Sequence, residues 1–221
     1  VVASPTASCT DTSVTNGNSY YYRIFTRDNI ANYSATGVEP TGSPFTPSGP
    51  GCYSVATGDW NATATWASAS GGTAGTCIGP GNLPSANEAV YVERAYTVTV
   101  PTGYSAAASS VTINIPTTNA TTVLAVAGTG SLTVGGSITI GDPAGQKTAE
   151  LQIGTGTVTA GSVNATGGGS VTFTGAGTLN VSGNFAGGCT YTAGTGTVVY
   201  NGSGAQTVGT YNYYNLTINK S

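Results

Sequence analysis

The sequence predicts an all-β protein: a right-handed parallel β-solenoid with an N-terminal cap, preceded by a separate N-terminal strand pair. Valine, isoleucine, threonine and tyrosine are abundant and only 6% of the residues are charged, which favours strands over disorder. Glycine accounts for 34 of the 221 residues and recurs between short apolar–polar runs, as turn residues do. We therefore expect stacked coils that share one continuous core.

The repeats lie in residues 101–221, where Gly-x-Gly turns precede alternating strands. The turns begin at residues 128, 154, 175 and 194, so their starts lie 26, 21 and 19 residues apart. Each unit is expected to hold two short strands, and strands over 111–115 and 123–126 extend the stack. This spacing is typical of a β-solenoid of roughly five to seven coils.

Residues 1–42 are predicted to form a strand pair of their own. Tyr20, Tyr22 and Ile24 alternate along residues 19–26, directly after the turn signal Asn-Gly-Asn. Two strands alone are marginally stable in water. We therefore expect this pair to pack on the rest of the chain or to complete a sheet in a neighbouring molecule.

Residues 14–25, together with Asp28 and residues 32–34, resemble the last two strands of a fibronectin type III domain. The chain departs from that pattern at residues 29–31, where Asn-Ile-Ala replaces the usual glycine-bearing turn. The resemblance implies a strand pair without the first five strands of its sandwich. Tyr20, Tyr22 and Ile24 are therefore candidate residues of an assembly interface, and residues 1–42 are a candidate strand donor between subunits.

A linker is predicted over residues 43–51, because its prolines cannot donate to a strand ladder. Residues 52–100, which contain Trp60 and Trp66, then resemble the entry segment of bacterial surface β-helix proteins. Glu88 stands where that pattern usually has aspartate. The resemblance implies a Trp-bearing cap, and a cap is what the exposed core and strand edges of a solenoid end require.

The four cysteines are Cys9, Cys52, Cys77 and Cys189, and none lies in a Cys-x-x-Cys motif. An even number in a chain of this composition predicts disulfides, with three connectivities open. Cys52 and Cys77 bracket one segment and are the favoured pair. Cys9 and Cys189 would then pair with each other, either within one chain or between subunits.

The composition argues against several classes of function. The chain has no histidine, five basic and eight acidic residues, so we expect no Ser-His-Asp site, no metal site, no cofactor and no nucleic-acid binding. The apolar runs are too short for a membrane helix. Glu88, Glu93 and Arg94 are expected to form a surface ion pair of little energetic weight.

Paired threonines such as Thr97 with Thr99, and Thr157 with Thr159, are a pattern of ice-binding faces. Such a face needs threonines at identical places in successive coils. Because the repeats differ in length, an ice-binding face is not expected.

The function predicted from these features is structural, with no catalytic residues. The chain is expected to be a secreted, processed subunit of a bacterial surface filament or adhesin-like fibre, assembling head-to-tail with copies of itself. Tyr211, Tyr213 and Tyr214 are further candidate interface residues in this reading. Because the repeat pattern is still incomplete at Ser221, we expect either that more chain follows in the full protein or that another subunit supplies the cap. The alternatives are a carbohydrate-binding module, in which these tyrosines would stack on a surface polysaccharide, and a degraded polysaccharide-active enzyme.

Overall fold

A computed structural model describes residues 51–114, 120–141, 148–166 and 168–220 of the chain. The chain divides into two units, Val1–Gly49 and Pro50–Ser221, and all described residues belong to the second. The N-terminal strand pair, most of the linker, and the candidate residues Cys9, Tyr20, Tyr22 and Ile24 lie outside the described residues.

The described part of the chain is all-β, as predicted, with two short 3-10 helices at Thr63–Thr65 and Pro80–Asn82. The strands of the first half are β1 (Gly51–Ser54), β2 (Gly58–Asp59), β3 (Trp66–Ala67), β4 (Ala89–Val92), β5 (Thr97–Val100), β6 (Ser105–Ala108), β7 (Ser110–Ile113) and β8 (Thr121–Val126). Those of the second half are β9 (Ser131–Ile140), β10 (Thr148–Ile153), β11 (Thr157–Ala165), β12 (Gly169–Phe173), β13 (Thr178–Val181), β14 (Phe185–Ala186), β15 (Thr190–Thr192), β16 (Thr197–Tyr200) and β17 (Asn215–Ile218).

These strands form an 11-stranded and a 6-stranded sheet, in which every pairing but one is parallel. The larger sheet runs in the order β17-β16-β13-β11-β9-β7-β4-β1-β3, with β14 and β6 paired off this path. The smaller sheet runs in the order β15-β12-β10-β8-β5-β2. The chain visits the two sheets in turn and advances one level each time, an arrangement compatible with a β-solenoid.

The strand register confirms the predicted repeat spacing. Ser131 pairs with Thr157, Thr157 with Thr178, and Thr178 with Thr197, which are steps of 26, 21 and 19 residues. Periodic apolar positions thus located the coils correctly, because each strand must present its core face at the same level as its neighbour.

The expectation of two strands per repeat is wrong, because each full level holds three strand segments. Residues 131–134 of β9 pair with β6, whereas residues 138–140 of the same strand pair with β7. Gly135 and Gly136 lie between the two segments, so the chain turns a corner there without leaving the strand conformation. These two segments of the larger sheet are the two strands that the sequence predicts after each Gly-x-Gly turn. The segment that was missed is the strand of the smaller sheet, which is β10 at this level.

Backbone contact explains the glycines at this corner. A Cβ atom on Gly136 would lie 2.9 Å from the carbonyl oxygen of Ser109. One on Gly161 would lie 2.7 Å from the oxygen of Gly136, and one on Gly183 would lie 2.6 Å from the oxygen of Gly161. Successive levels therefore stack here at a distance that only glycine allows.

A single continuous core fills the space between the sheets, and its side chains come from alternate strand positions. The largest fully buried side chains are Trp60, Trp66, Tyr200, Phe185, Ile113, Leu124, Leu132, Ile138, Ile140, Leu151, Ile153 and Leu179. In the described ranges, no helix has the length and hydrophobicity needed to span a membrane.

One end of the larger sheet is formed by residues 51–77. There β3 pairs antiparallel with β1 and is the last strand of the sheet, and the Cys52–Cys77 disulfide confirms the favoured pairing. The rings of Trp60 and Trp66 are fully buried with their centroids 5.1 Å apart, and the Trp66 indole N–H donates to the Trp60 carbonyl at 2.8 Å. Both tryptophans are core residues here.

Candidate functional site

Acidic residues are scattered among the described residues, and no three His, Cys, Asp or Glu side chains are grouped to hold a metal ion. Glu150 lies on a strand of the smaller sheet, where it accepts hydrogen bonds from Gln152 at 2.8 Å and Thr172 at 2.5 Å. These bonds account for both carboxylate oxygens of Glu150.

The ion pair expected of Glu88, Glu93 and Arg94 is only partly present. The Arg94 Nε and Glu93 Oε1 atoms lie 3.5 Å apart, and the side chain of Glu93 is only 12% exposed. Glu88 takes no part in the described ion pair, because its carboxylate accepts hydrogen bonds from the main-chain N–H and the hydroxyl of Ser85, at 2.8 and 2.5 Å. Glu88 therefore closes a local turn.

Three of the four exposed large hydrophobic side chains of the described chain lie in or next to β17, and the fourth is Ile78. In the register of the sheet, Leu216 and Ile218 are the partners of Val198 and Tyr200, both fully buried. Residues paired across parallel strands point to the same face, so Leu216 and Ile218 occupy core positions. They are nevertheless 42% and 60% exposed, and Tyr214 just before β17 is 60% exposed.

This exposure follows from the position of β17, which is the terminal strand of the larger sheet. On one side it pairs with β16, and on the other no strand of the described chain pairs with it. The opposite end differs, because β3 and the buried tryptophans lie there. The described fold thus has one end with an unpaired parallel strand and an uncovered core face, which we call the β17 edge.

An aromatic cluster covers the core beside this edge. It consists of Phe173, Phe185, Tyr191, Tyr211 and Tyr213, whose neighbouring ring centroids lie 4.8–6.2 Å apart. Such distances are typical of stabilising aromatic pairs. The last strand of the smaller sheet, β15, contributes Tyr191 to this cluster, and no described strand pairs with the outer side of β15 either.

Hydrogen bonds fix the tyrosines of the cluster. The Tyr211 hydroxyl donates to the carbonyl of Gly187 at 2.8 Å, and the Tyr213 hydroxyl donates to that of Gly209 at 2.9 Å. Burial raises the pKa values of Tyr211 and Tyr213. The Tyr191 hydroxyl is buried without a hydrogen-bond partner among the described residues, and burial raises the pKa of Tyr191 to about 12.

Cys189 lies against this cluster and carries a free thiol among the described residues. The thiol donates a hydrogen bond to the Tyr211 hydroxyl at 3.2 Å, and burial raises the pKa of Cys189. Because Cys9 lies outside the described residues, pairing of these two cysteines stays a prediction.

Two ranks of small side chains run along the outer face of the larger sheet. They are Ser105, Ser131, Thr157, Thr178, Thr197 and Asn215, and Ala107, Thr133, Thr159, Asn180, Val199 and Thr217. Unequal repeat length was taken to exclude such ranks, and that reasoning is wrong for this sheet. Most of the difference between the 26- and 21-residue steps falls in the connections to the smaller sheet, which span residues 141–147 at one level and 166–168 at the next. The remaining residue is the extra one that β9 contains where its register with β11 shifts, between Ala160 and Ser162.

The ranks are uncharged but mixed, since half of their members are not threonine. In the smaller sheet, Thr97 and Thr99 have Val123 and Ala125 as neighbours, so no threonine rank forms there. The two outer ranks of the larger sheet are therefore free of charge, which leaves little electrostatic resistance to association.

The structure brings together only some of the residues singled out from the sequence. Tyr211 and Tyr213 lie in the aromatic cluster next to Cys189. Tyr214 is exposed next to the β17 edge. Leu216 and Ile218 were missed as candidates. Their signal was available in the register, since Asn215 follows Thr197 by 18 residues and so extends the repeat by one level.

The described fold defines this chain as an all-β protein of stacked parallel strands, compatible with a β-solenoid. Comparisons of the chain with protein-family models, with curated protein sequences and with solved structures gave no match.

Proposed function

We propose that this chain is a structural subunit of an extracellular bacterial filament or adhesin-like surface fibre, assembled head-to-tail through its N-terminal strands. In this proposal the fold is a right-handed β-solenoid, and residues 52–100 are its N-terminal cap. The receiving surface is the β17 edge. An unpaired strand edge is a ready template for another strand, whose main-chain hydrogen bonds supply much of the affinity.

The observation that carries the proposal is the exposure of Leu216 and Ile218 at core positions. Monomeric proteins protect the edges of their sheets with charged side chains, prolines or bulges. Residues 215–218 contain no charged residue and no proline, and their backbone continues the regular parallel register. Covering this edge removes apolar surface from water, and a joint between different surfaces of one subunit generates an open fibre.

The surface and the disulfide also support this function. The outer ranks of the larger sheet are uncharged, and the net charge of the chain is only −3. A buried disulfide is compatible with an oxidising, extracellular environment. A carbohydrate-binding module would need several exposed aromatic faces, but Tyr211 and Tyr213 are packed in the aromatic cluster and only Tyr214 of the three is exposed, which favours the fibre.

Electron microscopy of the purified full chain tests the proposal. We expect filaments, and we expect dispersed particles when residues 1–42 are deleted. Unfolding curves followed by tryptophan fluorescence serve as the control, because both tryptophans lie in residues 52–100 and report whether the truncated chain still folds. A full chain that stays monodisperse at high concentration would refute the fibre.

A further inference from the structure

The β17 edge sets requirements on any strand that covers it. The strand must place two apolar side chains, two residues apart, over Leu216 and Ile218. Its intervening side chain points to the other face, next to Thr217, where the outer ranks are polar and open to water. The pairing residues must also have free N–H groups, which excludes proline from the middle of the strand.

Residues 19–26 meet these requirements. Tyr22 and Ile24 are large apolar residues two positions apart, Arg23 lies between them, and no proline or glycine occurs in the segment. Arginine belongs on the polar face of such a strand, and no described charged residue of the larger sheet would oppose it there. Tyr20 extends the same apolar face by one more position.

We propose that residues 19–26 of a second copy pair with β17, with Tyr22 and Ile24 on the core face and Arg23 beside Thr217. This inference rests on the proposed fibre, and it adds the identity of the joint, its register and the face that each side chain takes. At the opposite end of the larger sheet the last strand, β3, pairs antiparallel with β1, and its residues Trp66 and Ala67 are fully buried, so this strand presents no exposed apolar side chains of its own.

The central pair of this register does not depend on the direction of the added strand. In a parallel pairing Tyr22 lies over Leu216 and Ile24 over Ile218, and in an antiparallel pairing these partners are exchanged. Thr217 faces Arg23 in both cases. Residues directly opposite each other have Cα atoms about 4.5–5.5 Å apart, which lies within the range of about 4.4–6.8 Å that a disulfide accepts.

Disulfide cross-linking between copies tests this register. The full chain is prepared in a C9S/C189S background as two partners, one with T217C and one with R23C, and the two are mixed and oxidised mildly. We expect a covalent dimer of the two partners. The matched control replaces R23C by I24C, whose side chain points to the opposite face, and we expect its yield to be lower by at least about tenfold.

Both T217C and R23C replace residues outside the described core. Electron microscopy of the same samples distinguishes a failure of this joint from a failure of the proposed fibre. Filaments that give no T217C–R23C cross-link, or that cross-link equally well with I24C, would leave the fibre standing and overturn this joint. Neither filaments nor cross-link would overturn both. A chain that carries both T217C and R23C is also oxidised on its own. A monomer whose mass shows that the disulfide has closed within one chain would also refute a joint between copies.

Discussion

The Cys52–Cys77 disulfide should determine the stability of the segment that contains both tryptophans. It closes a loop of 25 residues in sequence, and both cysteines are buried. Loop-closure entropy in the unfolded chain then gives a stabilisation of about 3.5 kcal/mol at 25 °C. We expect a C52A/C77A variant to lose roughly this amount of unfolding free energy, which is a large fraction of the stability of a typical domain.

Urea unfolding followed by tryptophan fluorescence measures this loss directly, because Trp60 and Trp66 are the only two tryptophans and both lie inside the loop. C189S is the matched control, since it removes a thiol that takes no part in this bond, and we expect a change within about 0.5 kcal/mol. A C52A/C77A variant as stable as the wild type would refute the loop-closure reasoning.

Three further results are expected. Leu151→Ala should lower the unfolding free energy by about 2–5 kcal/mol in a urea titration, since the side chain is fully buried between levels; a smaller loss would mean that the core collapses around the cavity. Gly161→Ala should cost about 1–3 kcal/mol in the same assay, because its Cβ would lie 2.7 Å from the oxygen of Gly136. Gly188→Ala, with no atom within 4 Å of the added carbon, should be neutral. Finally, stability should fall as pH rises from about 10 to 12, because the partly buried Tyr191, Tyr211 and Tyr213 lose their protons near pH 10 in the unfolded chain, while the folded chain holds them to higher pH, to about pH 12 for Tyr191. Tyr191→Phe should weaken this pH dependence, and an unchanged profile would show that Tyr191 does not cause it.

Repeat position was predictable from the sequence because parallel stacking imposes one rule on every level. A strand that slips by one residue turns all its apolar side chains outward, so the register is fixed at every level. The spacing of the Gly-x-Gly turns therefore predicts which residues pair. The Cys52–Cys77 pair was predictable for a simpler reason, since the two cysteines bracket one short segment. The strand of the smaller sheet was missed at each level, because the connection before it differs in length, spanning residues 141–147 at one level and 166–168 at the next, so the strand has no fixed distance from the preceding Gly-x-Gly turn.

The roles of the tyrosines near the C-terminal end depended on packing that the sequence does not express. Tyr211, Tyr213 and Tyr214 form one aromatic cluster in the sequence. In the structure the first two pack against Tyr191 and Phe185, whereas Tyr214 is exposed. The difference arises because the chain before β17 is irregular, so simple alternation no longer says which face a side chain takes.

By itself, the sequence determined the all-β class, the repeat spacing and the favoured disulfide of this protein, because these follow from local alternation, glycine turns and the position of cysteines along the chain. Only the tertiary structure decided which core positions are covered. Val198 and Tyr200 have the same pattern as Leu216 and Ile218, yet the first pair is buried and the second exposed. Burial depends on whether another level lies beyond the strand, and that is a property of neighbours in space.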